Sequence, residues 1–431
     1  MKKSLEERFR SKGARIGVIG QGYVGLPLAL AFAESGFETV GVDVDPERVG
    51  RLGEGRSYLK DVDDERIASV VDDGRYRATE DYAALAEVDA VAICVPTPLR
   101  KTRDPDISFI RSAAERMVEY LQPPCLVILE STTYPGTTEE VVLPLLLDEN
   151  GDLAEGYFLA FSPERIDPGN EHWNVYNTPK VVGGVDETST RLTEVLYSQF
   201  IDEVHPVETA THAEMVKLLE NTFRAVNIGF VNDLTILCDR MGLDVWQVIE
   251  AAGTKPFGFM SFYPGPGVGG HCIPNDPTYL SWKAKSFDFY SGFIELASDV
   301  NANMPRFTVQ KLTRLLNEQE KPVKNSDILI LGMAYKPDVD DIRESPALEV
   351  WEILSELGAN LSYHDPYIDE VDELGGAESV ELDSARVAAS DAVIICTDHS
   401  STDWQMVGEQ AQLVLDTRNC ITGEYPDVYK L

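Results

Sequence analysis

The sequence predicts an α/β protein in which two doubly wound parallel-sheet domains flank a central helical domain built on one long helix. Three observations carry this. Short apolar runs alternate with amphipathic stretches from Arg15 to Phe200. That pattern stops at Thr211, where about thirty residues run without proline. It returns after the polar stretch Lys321–Ser326. Alternation of this kind implies parallel strands covered by helices on both faces.

In the first part, Arg15–Ile19, Thr39–Val42, Ala90–Val95, Leu126–Leu129 and Tyr157–Phe161 are expected strands, with Val181–Gly184 a further one. Leu26–Ser35, Pro46–Leu52, Ile107–Leu121 and a segment near Thr188–Phe200 are the expected helices. Thr211–Met241 holds a single glycine, Gly229, and apolar residues at steps of three and four (Met215, Leu218, Leu219, Phe223, Val226, Phe230), which predicts one long helix. A helix of that length suits an interdomain spine and a homodimer seam. Val245–Ala252 and Trp282–Asn301 are further expected helices. Beyond the linker, strands are expected at Ile328–Leu331, Leu361–His364, Ala392–Cys396 and Leu413–Leu415, with a helix at Ala347–Leu357. Asp89–Val95 (DAVAICV) echoes Asp391–Thr397 (DAVIICT). Domains are accordingly expected at 1–205, 206–315 and 316–431.

The chain has 431 residues, 43% of them hydrophobic, and a net charge of −36. That content supports real cores. The charge disfavours nucleic acid and anionic membranes as partners, and it suits a high-salt cytoplasm where screening removes self-repulsion. No run of 18 apolar residues occurs, and Met1–Lys12 lacks the apolar stretch of a secretory signal, so a cytoplasmic location is expected. The six cysteines include no Cys-x-x-Cys pair and no metal-finger spacing, so neither a zinc site nor a disulfide framework is expected.

Gly20-Gln-Gly22-Tyr-Val-Gly25 follows the first strand and opens a helix. The first glycine permits the tight turn, the second lets a pyrophosphate approach the backbone, and the third lets helix and strand pack closely. Asp43 lies 23 residues after Gly20, at the end of the second strand. A carboxylate there accepts ribose hydroxyls and repels a 2′-phosphate, so NAD is the expected cofactor in a Rossmann-like domain. Thr97, Ser131 and Thr132 follow further strands, at the edge where such sheets bind ligands. Hydroxyls there also serve as plain turn chemistry.

Cys272 sits in Gly-Val-Gly-Gly-His-Cys-Ile-Pro-Asn-Asp, a glycine-rich turn. Cys94, Cys125 and Cys396 lie in apolar runs instead and are expected core residues. A thiol near a nicotinamide can hold an aldehyde covalently, so that a second hydride can leave the same carbon. Lys217 and Asn221 lie four apart on the long helix and share a face suited to an oxyanion, or equally to solvent. Glu164, at a strand end in Ser-Pro-Glu-Arg, could act as a general base or pair with Arg165. Asp276 lies four residues after Cys272. Lys336, Arg343 and Arg418 follow strands of the last part, where basic groups suit a phosphate-bearing ligand or a surface ion pair.

Together these motifs resemble the UDP-glucose/GDP-mannose dehydrogenase family over nearly the whole chain, about Ala14 to Asn419. The resemblance rests on Gly20–Gly25, Val95–Pro98, Glu130–Thr138, Ser162–Arg165, Ala213–Asn221, Pro264–Asp276, Lys336–Pro346 and Asp416–Asn419. It implies a four-electron oxidation of a UDP-sugar C6 alcohol to the uronate with two NAD⁺. In that scheme Cys272 carries a thiohemiacetal and then a thioester. Lys217 and Asn221 stabilise oxyanions, Asp276 helps to activate water, Glu164 assists thioester hydrolysis, and Thr132 orders a water. Arg343 would meet the cofactor pyrophosphate, and Lys336 and Arg418 the nucleotide sugar. The resemblance extends the cofactor contacts to Tyr23, Val24 and Arg48, and the sugar-nucleotide contacts to Arg165, Phe262, Tyr263 and Gly269. It implies a homodimer or higher homo-oligomer and no metal.

In the UDP-glucose branch a lysine stands three residues after the cysteine, where this chain has Asn275. Lys255–Pro274 is similar to the N-acetylhexosamine branch. Phe257 and Phe259 beside Lys255 resemble the N-acetylglucosamine enzymes, whereas those for the mannosamine epimer carry arginine at the position of Phe257. UDP-N-acetylglucosamine is therefore the expected substrate, with UDP-glucose and UDP-N-acetylmannosamine as alternatives. Capsule, surface glycan and glycoprotein sugars are all open destinations for the product. Two rivals remain: a two-electron β-hydroxyacid dehydrogenase, which needs neither the cysteine nor a third domain, and a non-catalytic sugar-nucleotide sensor, which needs no such set of reactive side chains.

Overall fold

The computed structural model describes residues 4–59, 62–100, 102–165, 170 and 172–431. Part of the charged N-terminal stretch, Met1–Lys3, lies outside them. The chain divides into two compact units, residues 1–220 with 282–287, and residues 221–281 with 288–431.

The first unit is built on an eight-stranded sheet. Its strands are β1 (Arg15–Ile19), β2 (Glu38–Val42), β3 (Tyr76–Thr79), β4 (Ala90–Ile93), β5 (Cys125–Leu129), β6 (Tyr157–Phe161), β7 (Lys180–Gly184) and β8 (Val204–Pro206), in the order β3-β2-β1-β4-β5-β6-β7-β8. The central strands are apolar on both faces because both faces are covered. Leu126 and Ile128 of β5 enter one core with Ile16, Val18 and Phe32. Val127 and Leu129 enter the opposite core with Ile19, Ile93 and Ile110.

One pairing departs from the expected parallel sheet. β6 and β7 run antiparallel, with Ala160 opposite Gly184 and Phe161 opposite Gly183. A parallel neighbour needs a crossover that carries the chain back to the starting edge. Between β6 and β7 no helix or strand occurs among the described residues, so the chain re-enters from the edge it has just left. Lys180, the first residue of β7, therefore lies at the same sheet edge as Ser162–Arg165.

The expected long helix spans Ala210–Met241, 32 residues, and runs from the first unit into the second. The expected helix Trp282–Asn301 is instead two. One spans Cys272–Lys285 and the other Gly292–Glu318. Asp288, at φ +53°, turns the chain between them, a left-handed conformation that no helix continues through. Cys272 thus opens a helix and does not lie within the glycine-rich turn itself.

The second sheet contains β9 (Asp327–Leu331) and β10 (Asn360–His364). A small antiparallel ribbon follows, β11 (Glu370–Val371) with β12 (Ala377–Glu378). The sheet then adds β13 (Ala392–Ile395), β14 (Val414–Asp416) and β15 (Val428–Lys430), in the order β10-β9-β13-β14-β15, all parallel.

The echo between Asp89–Val95 and Asp391–Thr397 has a structural counterpart. Asp89 accepts the amide of Arg15, which opens β1, at 2.9 Å, and Asp391 accepts that of Asp327, which opens β9, also at 2.9 Å. Cys94 donates to Ile19 O at 2.8 Å, and Cys396 to Leu331 O at 2.8 Å. Gly20 and Gly332, the turn glycines after β1 and β9, have φ +86° and +85°. The two sheets share one hydrogen-bonding template.

Candidate active site

The cofactor turn is fixed by what glycine permits. A Cβ on Gly20 would lie 2.4 Å from Cys94 O, and one on Gly25 would lie 1.8 Å from Gly20 O. Gly22 has open space on that side, which is the approach a pyrophosphate needs. The helix Gly25–Glu34 begins at Val24 without a side-chain cap, so its first amides face the turn with the positive end of the helix dipole. Asp43 is buried, accepting the amides of Gln21 at 2.7 Å and Asp45 at 3.0 Å. Arg48 lies 3.7 Å from Asp43 and 3.4 Å from Asp45. Gln21 is anchored from below, its Nε2 donating to Val18 O at 2.9 Å and its Oε1 accepting from Tyr76 at 2.7 Å. Tyr23 is exposed, and Val24 packs against the core. The open side of Gly22, the uncapped helix start and the Asp43 carboxylate fit the pyrophosphate and ribose of a dinucleotide.

At the end of β5, the Ser131 hydroxyl accepts the Val95 amide at 2.9 Å and reaches Val95 O at 2.8 Å. It ties two strand ends together. Thr97 is buried and Thr132 half-buried nearby in sequence. Glu214, fully buried on the long helix, accepts the Gly136 amide and the amide and hydroxyl of Thr138, the last two at 2.8 and 2.7 Å. Burial pushes its carboxyl up to about 7, against those hydrogen bonds. Glu214 fixes the loop that carries Thr132.

Ser162–Arg165 is held by three cations. Lys217 donates to Glu164 O at 2.5 Å. Arg165 pairs with Glu220 at 2.7 Å and donates to Pro179 O at 2.5 Å, while its amide reaches the Glu164 carboxylate at 2.7 Å. Lys180 donates to Glu130 at 2.8 Å and lies 3.8 Å from the Glu164 carboxylate. Arg165 thus pairs with Glu220, and Lys180 brings an ammonium to 3.8 Å from the Glu164 carboxylate.

Within the second unit, Asn221 donates to the Asp276 carboxylate at 2.5 Å, and both side chains are buried. Asp276 lies one turn beyond Cys272 on the helix Cys272–Lys285, and Cys272 is exposed where Cys94, Cys125, Cys238 and Cys396 are buried. The preceding glycines sit where side chains would collide. A Cβ on Gly269 would lie 2.6 Å from the Tyr335 Cβ, and one on Gly270 would lie 2.8 Å from the Tyr335 ring. Gly270 donates to Arg343 O at 2.8 Å. The Arg418 guanidinium lies against Gly265, and its Nε donates to Cys396 O at 2.7 Å. Burial, outweighing Asp398, lowers the proton affinity of Arg418. Arg343 is forked onto Asp341 at 2.9 and 3.0 Å. Lys336 lies in the loop after β9. Phe262 meets Phe223 edge to face at 5.7 Å, and Tyr263 stacks on Trp246 at 5.7 Å. Burial and then Arg343 lower the affinity of His271 for a proton.

Sequence reasoning missed Glu130 as an individual residue, Lys180, Tyr197 and Glu214 in the first unit, and Asn232 in the second. Asn232 accepts the Gly265 amide at 3.2 Å and donates to Asn301 at 2.9 Å, steadying the start of the glycine-rich segment. The available signal was charge in an apolar setting. Lys180 heads a strand and Glu130 ends one.

Three segments match the UDP-glucose/GDP-mannose dehydrogenase family: its NAD binding domain over residues 14–201, its central domain over 211–303 and its UDP binding domain over 329–423. The chain is 37% identical to the UDP-N-acetyl-D-mannosamine dehydrogenase of Pyrococcus horikoshii, over 94% of this chain and 96% of that one. It is 31% identical to the UDP-N-acetyl-D-glucosamine 6-dehydrogenase of Salmonella typhi, over 96% and 98%. Among solved structures, that of a UDP-D-ManNAc dehydrogenase from Pyrococcus horikoshii superposes with a TM-score of 0.87 at 34% identity, covering 96% of this chain and 98% of that one. No helix among the described residues is long and apolar enough to cross a membrane.

Proposed function

The chain belongs to the UDP-glucose/GDP-mannose dehydrogenase family and is an NAD-dependent UDP-sugar dehydrogenase, and from that premise we propose that it oxidises the C6 alcohol of a UDP-N-acetylhexosamine to the carboxylate through Cys272. The observation that carries this is the exposed Cys272 on the first residue of a helix, one turn before an Asp276 held by Asn221. A helix N-terminus favours an anionic sulfur, the nucleophilic form. Gly20–Gly25 and Asp43 would hold NAD⁺, which would supply the hydride acceptor.

The chain's own groups supply the rest. Lys217 and Asn221 stabilise the oxyanions formed at C6. Cys272 adds to the C6 aldehyde and retains the carbon as a thioester after the second oxidation. Asp276 and Glu164 move the protons of the hydrolytic water, which Thr132 helps to order. Lys336, Arg418, Arg165, Phe262, Tyr263 and Gly269 contact the nucleotide sugar, and Arg343, Arg48, Tyr23, Val24, Thr97 and Ser131 contribute to the dinucleotide site.

Within the N-acetylhexosamines, the aromatic pair Phe257 and Phe259 supports the N-acetylglucosamine configuration; the Lys255 ammonium lies 5.0 Å above the Phe257 ring. The relative at 37% identity supports the mannosamine epimer as second reading. Comparing kcat/KM for UDP-glucose and for the UDP-linked N-acetyl derivatives of glucosamine, galactosamine and mannosamine decides between them. The glucosamine derivative is expected to lead. A lead for the mannosamine derivative moves the assignment to the epimer, and a lead for UDP-glucose removes the acetamido reading.

A further inference from the structure

A lysine and a glutamate are buried together behind the loop of Glu164. The Lys180 side chain is 7% exposed and that of Glu130 is fully buried, with 2.8 Å between them. The second oxygen of Glu130 accepts a hydrogen bond from the Tyr197 hydroxyl, and Tyr197 is fully buried as well. The Lys180 ammonium also lies 4.9 Å above the Tyr197 ring. Placing such charges in an apolar interior is costly, and a buried pair is weak evidence for stability alone. The pair is also asymmetric. Glu130 is satisfied by Lys180 and Tyr197, whereas Lys180 keeps two further directions, to Pro163 O at 3.4 Å and to the Glu164 carboxylate at 3.8 Å. The antiparallel entry of β7 is what brings Lys180 to this edge.

We propose that Lys180, anchored by Glu130 and Tyr197, is a positioning residue for Glu164: it fixes the Pro163–Glu164 turn and holds the Glu164 carboxylate in the orientation that hydrolysis of the acyl-enzyme requires. This rests on the hydrolytic role of Glu164 proposed above. In that step a water oxygen bonds to the acyl carbon and one water proton passes to Glu164. The carbon–sulfur bond then breaks, Cys272 departs as thiolate, and the acid leaves with the second proton, which it loses to solvent. Lys180 touches none of the reacting atoms. Its effect is confined to where Glu164 points, and displacing a reacting group by about 1 Å can cost on the order of 100-fold.

The test uses the full-length protein with NAD⁺ and its best UDP-sugar. Lys180→Met keeps the stem and removes the charge; Lys180→Arg keeps a charge. The expected result for Lys180→Met is a kcat about 10- to 100-fold lower with sugar KM falling in step, so that kcat/KM stays within about 2-fold. Intact-protein mass spectrometry is expected to show the acyl adduct on Cys272 accumulating during turnover, with an unchanged pre-steady-state burst of NADH. Lys180→Arg is expected to recover most of the rate. A folded Lys180→Met that turns over like wild type overturns the proposal, and so does a slow one that accumulates no adduct. Should Lys180→Met fail to fold, Tyr197→Phe loosens the same anchor, and a rate reduced about 3-fold with detectable adduct supports the proposal while wild-type kinetics overturns it. If wild type itself yields one NADH per sugar and Cys272→Ala is as active, the failure lies in the proposed acyl-enzyme route and not in Lys180.

Discussion

The Asn221 amide donates to the Asp276 carboxylate across 2.5 Å, joining the long helix to the helix that Cys272 opens. The contact is buried, so losing either partner costs the other a hydrogen bond that water does not replace. Asp276→Asn keeps the volume and removes the charge. It is expected to lower kcat by about 100-fold, the order a general base contributes, with a small change in melting temperature. Asn221→Ala withdraws a donor from a buried carboxylate and is expected to cost about 1–3 kcal/mol of stability besides activity. Denaturation and steady-state rates on both variants check this pair of expectations.

Gly269 faces Tyr335 so closely that a single added methyl has no place. Its Cβ would lie 2.6 Å from the Tyr335 Cβ and 2.9 Å from Glu344 O. Gly269→Ala is expected to cost about 1–3 kcal/mol through overpacking and to raise KM for the UDP-sugar as the segment before Cys272 shifts. Gly22→Ala, where open space surrounds the added atom, is expected to fold like wild type and to lose NAD⁺ affinity. Melting curves with and without NAD⁺ separate the two effects.

Glu214 predicts a pH dependence of definite sign. Burial raises its folded-state value to about 7 from 4.5. The folded chain then binds this proton more tightly than the unfolded chain. The contribution to stability is full below the unfolded value and fades as pH rises from about 4.5 through 7. Wild type is expected to lose roughly 3 kcal/mol over that window from this group, and Glu214→Gln is expected to lose less. Urea denaturation of both proteins at pH 5 and pH 8 measures the difference.

The long helix leaves Met215, Leu219, Phe223, Phe230, Leu237 and Met241 exposed, at spacings of four and seven that share one face. We expect this stripe to be a homodimer seam. Leu219→Asp with Phe230→Asp is expected to yield a monomer by light scattering, where wild type gives a dimer or a larger assembly.

A net charge of −36 repels itself over a Debye length of about 10 Å at 0.1 M salt and about 3 Å at 1 M. Raising KCl from 0.1 to 2 M is expected to raise the melting temperature by about 5 °C or more, roughly 2 kcal/mol for domains of this size. A fall in melting temperature would contradict the expectation of a high-salt cytoplasm.

What the sequence disclosed follows from the range of the physics. The turn Gly20–Gly25 is local: its glycines answer to atoms a few residues away and to the ends of neighbouring strands, so spacing alone reports it. The helix Ala210–Met241 is likewise local, with apolar residues at its own period. β3, Tyr-Arg-Ala-Thr, and β8, Val-His-Pro, carry little apolar signal and form only because β2 and β7 offer them an edge. The break at Asp288 depends on one residue taking φ +53°, which composition does not announce. Lys180 acquires meaning only through Glu130, 50 residues earlier, and through an antiparallel entry that alternation of strand and helix does not predict. Long-range charge pairing is a property of topology, which the local pattern of residues does not encode.

One sulfur atom, we propose, lets this enzyme carry an alcohol through to an acid. The most direct measurement is the stoichiometry of NADH formed per UDP-sugar consumed, taken to completion with wild type and with Cys272→Ser. Two NADH and a UDP-uronate are expected for wild type, and the variant is expected to stall after partial oxidation. One NADH per sugar, or a Cys272→Ser enzyme that completes both oxidations at the wild-type rate, would contradict it.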